Sequence, residues 1–109
     1  METIKSKKEF EEVFSGGSRA NHPLVRITYM ERCDGGGKVA FVAAKRLGNA
    51  VYRNRCKRLL REAARMSALP VDGWSIILFS TRRTHESSPA EIAAALGKLL
   101  RRSGVRDAA

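Results

Sequence analysis

The sequence predicts an α+β fold, a two-layer sandwich in the order α-β-β(-β)-α-β-α. Three observations carry it. Helical periodicity appears in three separate segments, two of them introduced by a serine three residues ahead of a glutamate. Between them lie stretches that alternate or run continuously apolar at strand length. The segments do not recur as regular βα pairs, and sheet and helices therefore stack as layers around one core.

The elements follow in order. Ser6 precedes Lys7-Lys8-Glu9, a capping box that starts a short helix. Phe10, Val13 and Phe14 share one face at i, i+3 and i+4, and Gly16-Gly17 ends it. The two rings serve either as core or, at a groove edge, as stacking platforms for unpaired bases. Ser18 to Asn21 makes a short edge strand. Leu24 to Glu31 is a clearer one, with Val25, Ile27 and Tyr29 on one face and Arg26, Thr28 and Met30 on a partly open face. Arg26 there either meets a phosphate or simply faces solvent. Asp34-Gly-Gly-Gly reads as a hairpin turn. Lys38 to Lys45 is apolar nearly throughout, as a central strand would be.

The segment Lys45 to Arg65 dominates the charge. It holds eight basic residues (Lys45, Arg46, Arg53, Arg55, Lys57, Arg58, Arg61, Arg65) against Glu62 alone, in a chain of net charge +10. On a helical wheel Val51, Tyr52, Cys56, Leu59, Leu60, Ala63, Ala64 and Met66 fall within about 220° of arc. Asn54, Lys57, Arg58, Arg61 and Arg65 fill the rest, flanked by Arg53 and Arg55. A solvated helix face usually mixes signs, because like charges at i,i+4 repel. A face this uniformly basic is better tolerated when a polyanion neutralises it. Arginine, 14 residues to 7 lysines, also suits bidentate phosphate contacts.

Ala68 to Gly73 turns the chain at Pro70. Trp74 to Thr81 is the most hydrophobic strand and is interior, with Trp74 packing at its head. Arg82, Arg83, His85 and Glu86 form a loop. Ser88-Pro89-Ala90-Glu91 is a second capping box with proline at the first helical position. The helix it opens carries Ile92, Leu96, Leu99 and Leu100 inward and ends on Arg101 and Arg102, which suit the helix dipole.

Several function classes drop out. With 109 residues and 43% hydrophobic composition, the chain is one domain over residues 1–109 with a core of its own. A sequence pI near 10.5 points to nucleic acid or an anionic membrane surface, of which the membrane is the poorer choice. No run of about 18 apolar residues suggests a membrane span, and the sequence reads as lacking a signal peptide. Cys33 and Cys56 have no partner at metal-binding spacing and read as reduced thiols of a cytoplasmic protein. No paired carboxylates, metal cluster, nucleophile with its base or phosphate-binding glycine loop is evident, and neither His22 nor His85 has a catalytic partner. The chain by itself reads as a binder.

The stretch Gly48-Asn-Ala-Val-Tyr-Arg-Asn-Arg-Cys-Lys-Arg-Leu-Leu-Arg-Glu62, preceded by Lys45–Arg46, resembles the signature of the protein subunit of bacterial ribonuclease P. Element order and length match over nearly the whole chain. The resemblance implies a rare left-handed β-α-β crossover through the basic helix, where a right-handed one is the default. It further implies that the RNA subunit is the catalyst and uses Mg²⁺, and that the holoenzyme removes the 5′ leader of precursor tRNA. Carried over by motif, Arg53, Asn54, Arg55, Lys57, Arg58, Arg61 and Arg65 contact the catalytic RNA. Phe10, Phe14, Lys45, Arg46 and Asn49 line the leader side, to which the open strand face adds Arg26. The first helix departs from the family in carrying Glu9, Glu11 and Glu12, and Arg26 stands where relatives often have an apolar or aromatic residue. A ribosomal or other structural RNA-binding protein is the competing class. A stand-alone nuclease lacks an active site.

Overall fold

The computed structural model describes residues 1–106. It contains α1 (Lys7–Gly16), β1 (Ser18–His22), β2 (Val25–Glu31), β3 (Lys38–Val42), a 3-10 turn (Lys45–Leu47), α2 (Ala50–Met66), β4 (Trp74–Ser80) and α3 (Pro89–Arg102). One four-stranded sheet runs in the order β1-β2-β4-β3. The β1–β2 and β2–β4 pairs are antiparallel and the β3–β4 pair is parallel. The α+β order predicted from the sequence holds.

Two corrections concern β3. It ends at Val42 rather than Lys45, and it lies at the sheet edge rather than the centre. Its apolar character is still accounted for, because the chain's own start covers that edge: Ile4 N–H donates to Val39 O and Val39 N–H to Glu2 O, at 2.8 and 3.1 Å. Satisfying an edge in this way removes the hazard of an exposed apolar strand. The Asp34–Gly37 segment is likewise no hairpin, because β4 inserts between β2 and β3. Asp34 Oδ1 accepts from Gly36 N–H, and Gly37 passes so close to Val71 that a Cβ there would sit 2.4 Å from its carbonyl oxygen.

Alternation along each strand divides the core in two. Val25, Ile27, Val39, Ile76 and Leu78 face α2 and α3 and meet Leu60, Ala63, Ala64, Ile92, Leu96, Leu99 and Leu100. Trp74 packs at this layer's margin, its ring 6.0 Å from Tyr29. Ala40 and Ile77 face the other way, where α1 adds Val13, with Phe10, Met30 and Phe79 partly buried around them. The body is thus a helix layer on a sheet, and short α1 covers part of the far face. Thr28, placed on the open face by the sequence pattern, is buried there.

The helix starts follow the predicted caps. Ser88 and Glu91 form the full reciprocal capping box of α3. Ser6 caps α1 by accepting from Glu9 N–H at 3.3 Å, whereas the Glu9 carboxylate points elsewhere, toward Arg32 and Lys38. In α2 the apolar arc is only partly used: Cys56, Leu60, Ala63 and Ala64 are buried, and Val51 and Met66, near its two ends, are exposed.

Candidate nucleic-acid interface

The basic face of α2 is open to solvent. Asn54, Arg55, Arg58, Arg61 and Arg65 are exposed, while Arg53 and Lys57 are half-buried. Glu62 pairs with Arg65 at 2.7 Å. Arg61 lies over the Phe41 ring, 5.2 Å from its centroid, which steadies its guanidinium without using up the hydrogen-bonding fork. The Nε of Arg53 is buried with no partner in the structure. Five donors in fixed geometry on each guanidinium make such a face a natural phosphate binder.

A second basic locus is built by topology. Strands β3 and β4 are parallel, so their C-terminal ends lie at the same sheet margin, and β2 starts there because it runs antiparallel to β4, with Arg26 opposite Phe79. Residues far apart in sequence therefore converge. Arg26, Arg46, Arg82 and Arg83 line a pocket of about 410 Å³ with Pro23, Leu47, Ser80 and Thr81. The Ser80 hydroxyl is buried there with no hydrogen-bond partner. Thr84 holds this loop in place: fully buried, it donates to Leu24 O at 2.7 Å and accepts from Thr81 N–H at 2.8 Å. Lys45 is exposed on the neighbouring 3-10 turn and is not among the lining residues.

A smaller pocket of about 260 Å³ adjoins it through Arg26. Phe14, Arg19, Asn21, Ile27, Thr28 and Phe79 complete its wall. Phe14 is 42% exposed, enough to offer a ring face. Phe10 stacks behind it at 6.1 Å and 13°, and Phe79 is tilted against it at 5.9 Å. Arg19 lies 5.5 Å over the Phe14 ring and donates to its carbonyl oxygen at 3.2 Å. Of the two phenylalanines predicted for the groove, Phe14 lines it and Phe10 supports Phe14 from the core. Basic side chains around an open aromatic ring are what unpaired nucleotides need.

Asn49 has a structural task at the helix start: its Oδ1 caps α2 by accepting from Tyr52 N–H at 2.9 Å. The Tyr52 ring stacks on His85 at 4.2 Å and 9°, which ties α2 to the Arg82–Arg83 loop. His22 accepts from Leu24 N–H at its Nδ1, 3.1 Å away. Burial, then the charges of Lys98, Arg102 and Arg83, lower its pKa, and it is held neutral as a turn element. Burial pushes the Cys56 thiol up, away from reactivity. Among the described residues no group of three or more His, Cys, Asp or Glu is placed to hold a metal ion.

Sequence reasoning overlooked Arg19, Phe79, Ser80, Arg82 and Arg83 as lining residues. For Phe79 a signal existed, since it sits out of step with Ile76 and Leu78. For Arg82 and Arg83 none did, because their relevance depends on β3 and β4 being parallel neighbours.

Comparison with known proteins identifies a single family. A family model described as Ribonuclease P matches residues 1–104. The ribonuclease P protein component of Gluconacetobacter diazotrophicus is 33% identical over 108 residues, covering 96% of this chain and 93% of that protein. The corresponding protein of Exiguobacterium sibiricum is 30% identical over 104 residues, covering 94% and 90%. Among solved structures, the Staphylococcus aureus ribonuclease P protein superimposes with a TM-score of 0.78 at 20% identity, covering 94% of this chain and 95% of that one. The Thermotoga maritima ribonuclease P protein gives 0.76 at 20% identity, covering 94% and 97%.

Proposed function

The chain belongs to the ribonuclease P protein family, and from that premise we propose how its two basic loci divide the work. It is the protein component of a tRNA 5′-maturation endoribonuclease and partners the catalytic RNA and precursor tRNA. Chemistry resides in the RNA subunit, which uses Mg²⁺, and the protein contributes binding. The exposed face of α2, with Asn54, Arg55, Arg58, Arg61 and Arg65 and the flanking Arg53 and Lys57, engages phosphates of the catalytic RNA. The 5′ leader runs through the aromatic pocket and on to the arginine pocket, past Phe14, Arg26 and Arg46, with Lys45 and Asn49 at the margin. The protein works in the cytoplasm as one RNA-binding domain, and no helix among the described residues is long and apolar enough to cross a membrane.

One observation carries the division. The aromatic pocket and the arginine pocket have Arg26 as a common wall, and no residue of α2 lines either one. Single-stranded leader needs ring faces and a charged track, and a folded RNA needs a rigid phosphate-spaced surface. A structural RNA-binding role with no link to catalysis is not favoured, because the family match extends over residues 1–104 rather than over the basic helix alone.

The test is cleavage of precursor tRNA by a bacterial ribonuclease P RNA at Mg²⁺ too low for the RNA to work alone. Cleavage at the mature 5′ end only when the protein is added is the expected result. RNA binding without stimulation of a cognate RNA would overturn the reading.

A further inference from the structure

The acidic character of α1 needs an explanation in a protein whose ligand is a polyanion. Glu11 and Glu12 are exposed, but Glu9 is turned inward, its side chain 22% exposed. One of its oxygens accepts from Arg32 Nη1 and the other from Lys38 Nζ at 3.3 Å. Arg32 is itself fixed on every side. Its Nη1 also donates to Ser75 Oγ at 2.8 Å, its Nε and Nη2 grip the Asp34 carboxylate, and its backbone N–H donates to Gly73 O at 2.7 Å. Hydrogen bonds from Arg32 and Lys38 keep the Glu9 carboxyl below the usual carboxylate range despite partial burial.

This network has an unusual mechanical position. Helix α1 has 10 residues and one fully buried side chain, Val13. A helix so short and thinly packed is not held by its own propensity. Its C-terminal end is pinned by close approach, since a Cβ on Gly17 would lie 2.5 Å from Val13 O and 2.8 Å from Tyr29 O. Its N-terminal end, about 12 Å away at 1.5 Å rise per residue, is tied by Glu9. The Phe10–Phe14 stack lies between the two attachments.

We infer that Glu9, clamped by Arg32 and Lys38, is a positioning residue for leader binding: it sets the pose of α1 and thereby of the Phe14 ring. The inference rests on the leader reading above and deepens it. Glu9 touches no nucleotide in this scheme. A partly buried, hydrogen-bonded ion pair is directional, and it adds a side-chain tie in the first turn of α1 to the backbone attachment that residues 2–4 make to β3.

The sign of the effect separates this from simple electrostatics. Glu9→Gln removes a negative charge near a polyanion, and long-range attraction alone predicts tighter leader binding. A lost clamp predicts weaker binding. The experiment measures holoenzyme affinity for precursor tRNA and for leaderless tRNA, with KM and kcat, for wild type, Glu9→Gln and the exposed control Glu12→Gln. Glu9→Gln is expected to reduce the preference for the leader by about threefold to tenfold, part of what a stacked base contributes. KM should rise, while kcat at saturation, leaderless affinity and catalytic-RNA affinity stay unchanged. Glu12→Gln, which removes charge without touching the clamp, should prefer the leader at least as strongly as wild type. An unchanged or increased leader preference in Glu9→Gln overturns the inference. If that variant melts without cooperativity, Glu9→Asp reads the same quantity: it keeps the charge but shortens the reach, so only the clamp predicts a loss. A wild-type holoenzyme with no preference for the leader would instead overturn the leader reading itself, a result no Glu9 variant can mimic.

Discussion

Gly48→Ala is the substitution whose cost follows most directly from the structure. Gly48 is in extended backbone (φ 164°, ψ −175°), which any residue adopts, and conformation alone does not demand glycine. Space does. A Cβ at this position would lie 2.6 Å from Tyr52 Cγ, 2.7 Å from Cδ1 and 2.9 Å from Cβ. These atoms are the root of the Tyr52 side chain, so the ring cannot simply bend aside. Its other face is occupied by His85 at 4.2 Å, and Cys56, one turn on, is fully buried. Overpacking of this kind costs about 1–3 kcal/mol, and a lost aromatic stack about 0.5–1.5 kcal/mol. The two overlap, and about 2 kcal/mol is a fair total for their combination. For a chain of 109 residues the unfolding entropy is about 0.23 kcal/mol/K, so Tm should fall by about 9 °C. Circular dichroism melts of the free protein measure it. The double variant Gly48→Ala with Tyr52→Ala should show a smaller further loss over Tyr52→Ala alone than Gly48→Ala causes in wild type, because the two ring-atom clashes are gone and only the 2.9 Å approach to the residue 52 Cβ remains. A Gly48→Ala melt within about 2 °C of wild type would refute the packing argument.

Neutralisation of about six phosphates predicts that affinity for the catalytic RNA falls roughly a thousandfold between 50 and 200 mM salt, and a flat filter-binding titration would sink the phosphate model. Replacing Arg58 and Arg61 with Ala should weaken that binding and reduce the salt slope by about two while leaving a cooperative melt, with a small Tm loss from the Arg61–Phe41 contact. Phe14→Ala should raise KM for precursor tRNA about tenfold or more without changing affinity for leaderless tRNA, since an exposed ring contributes mainly by stacking. Stability should also depend on His22. Its folded pKa lies below the ordinary 6.5, so the unfolded chain binds the proton more readily. The contribution is present above 6.5 and is lost as pH falls through that value toward the folded one. Tm recorded from pH 7.5 to 5 should decline in that window, and His22→Asn, whose Oδ1 can replace the Nδ1 acceptor, should flatten the step.

Much of this protein was already present in local pattern. The caps at Ser6 and Ser88, the apolar faces of the helices and the interior character of β4 depend on contacts a few residues apart, and local chemistry determines them. The basic face of α2 was equally legible, because a helix of known period places its own side chains. The signature from Gly48 to Glu62 supplied the family, and the match over residues 1–104 agrees with it.

Strand neighbours were not legible in the same way. Lys38–Val42 has the composition of a central strand, yet it lies at the edge because residues 2–4 cover it. The Asp34–Gly37 turn looks like a hairpin, yet β4 separates the strands it joins. Both outcomes follow from long-range pairing, in which a strand's partner is chosen by the whole sheet rather than by its own residues. The arginine pocket has the same origin. Arg26, Arg46, Arg82 and Arg83 meet only because β3 runs parallel to β4 and β2 antiparallel to it. The fate of Glu9 is a further case. Its spacing from Ser6 fits a capping box, but Arg32 and Lys38, 23 and 29 residues away, bind its carboxylate instead. The sequence by itself determined the helices, their faces and the charge they carry, because those depend on period and cap. Tertiary structure alone decided which charges meet around one groove and which acid is turned inward, because those depend on strand order, and no local rule encodes it.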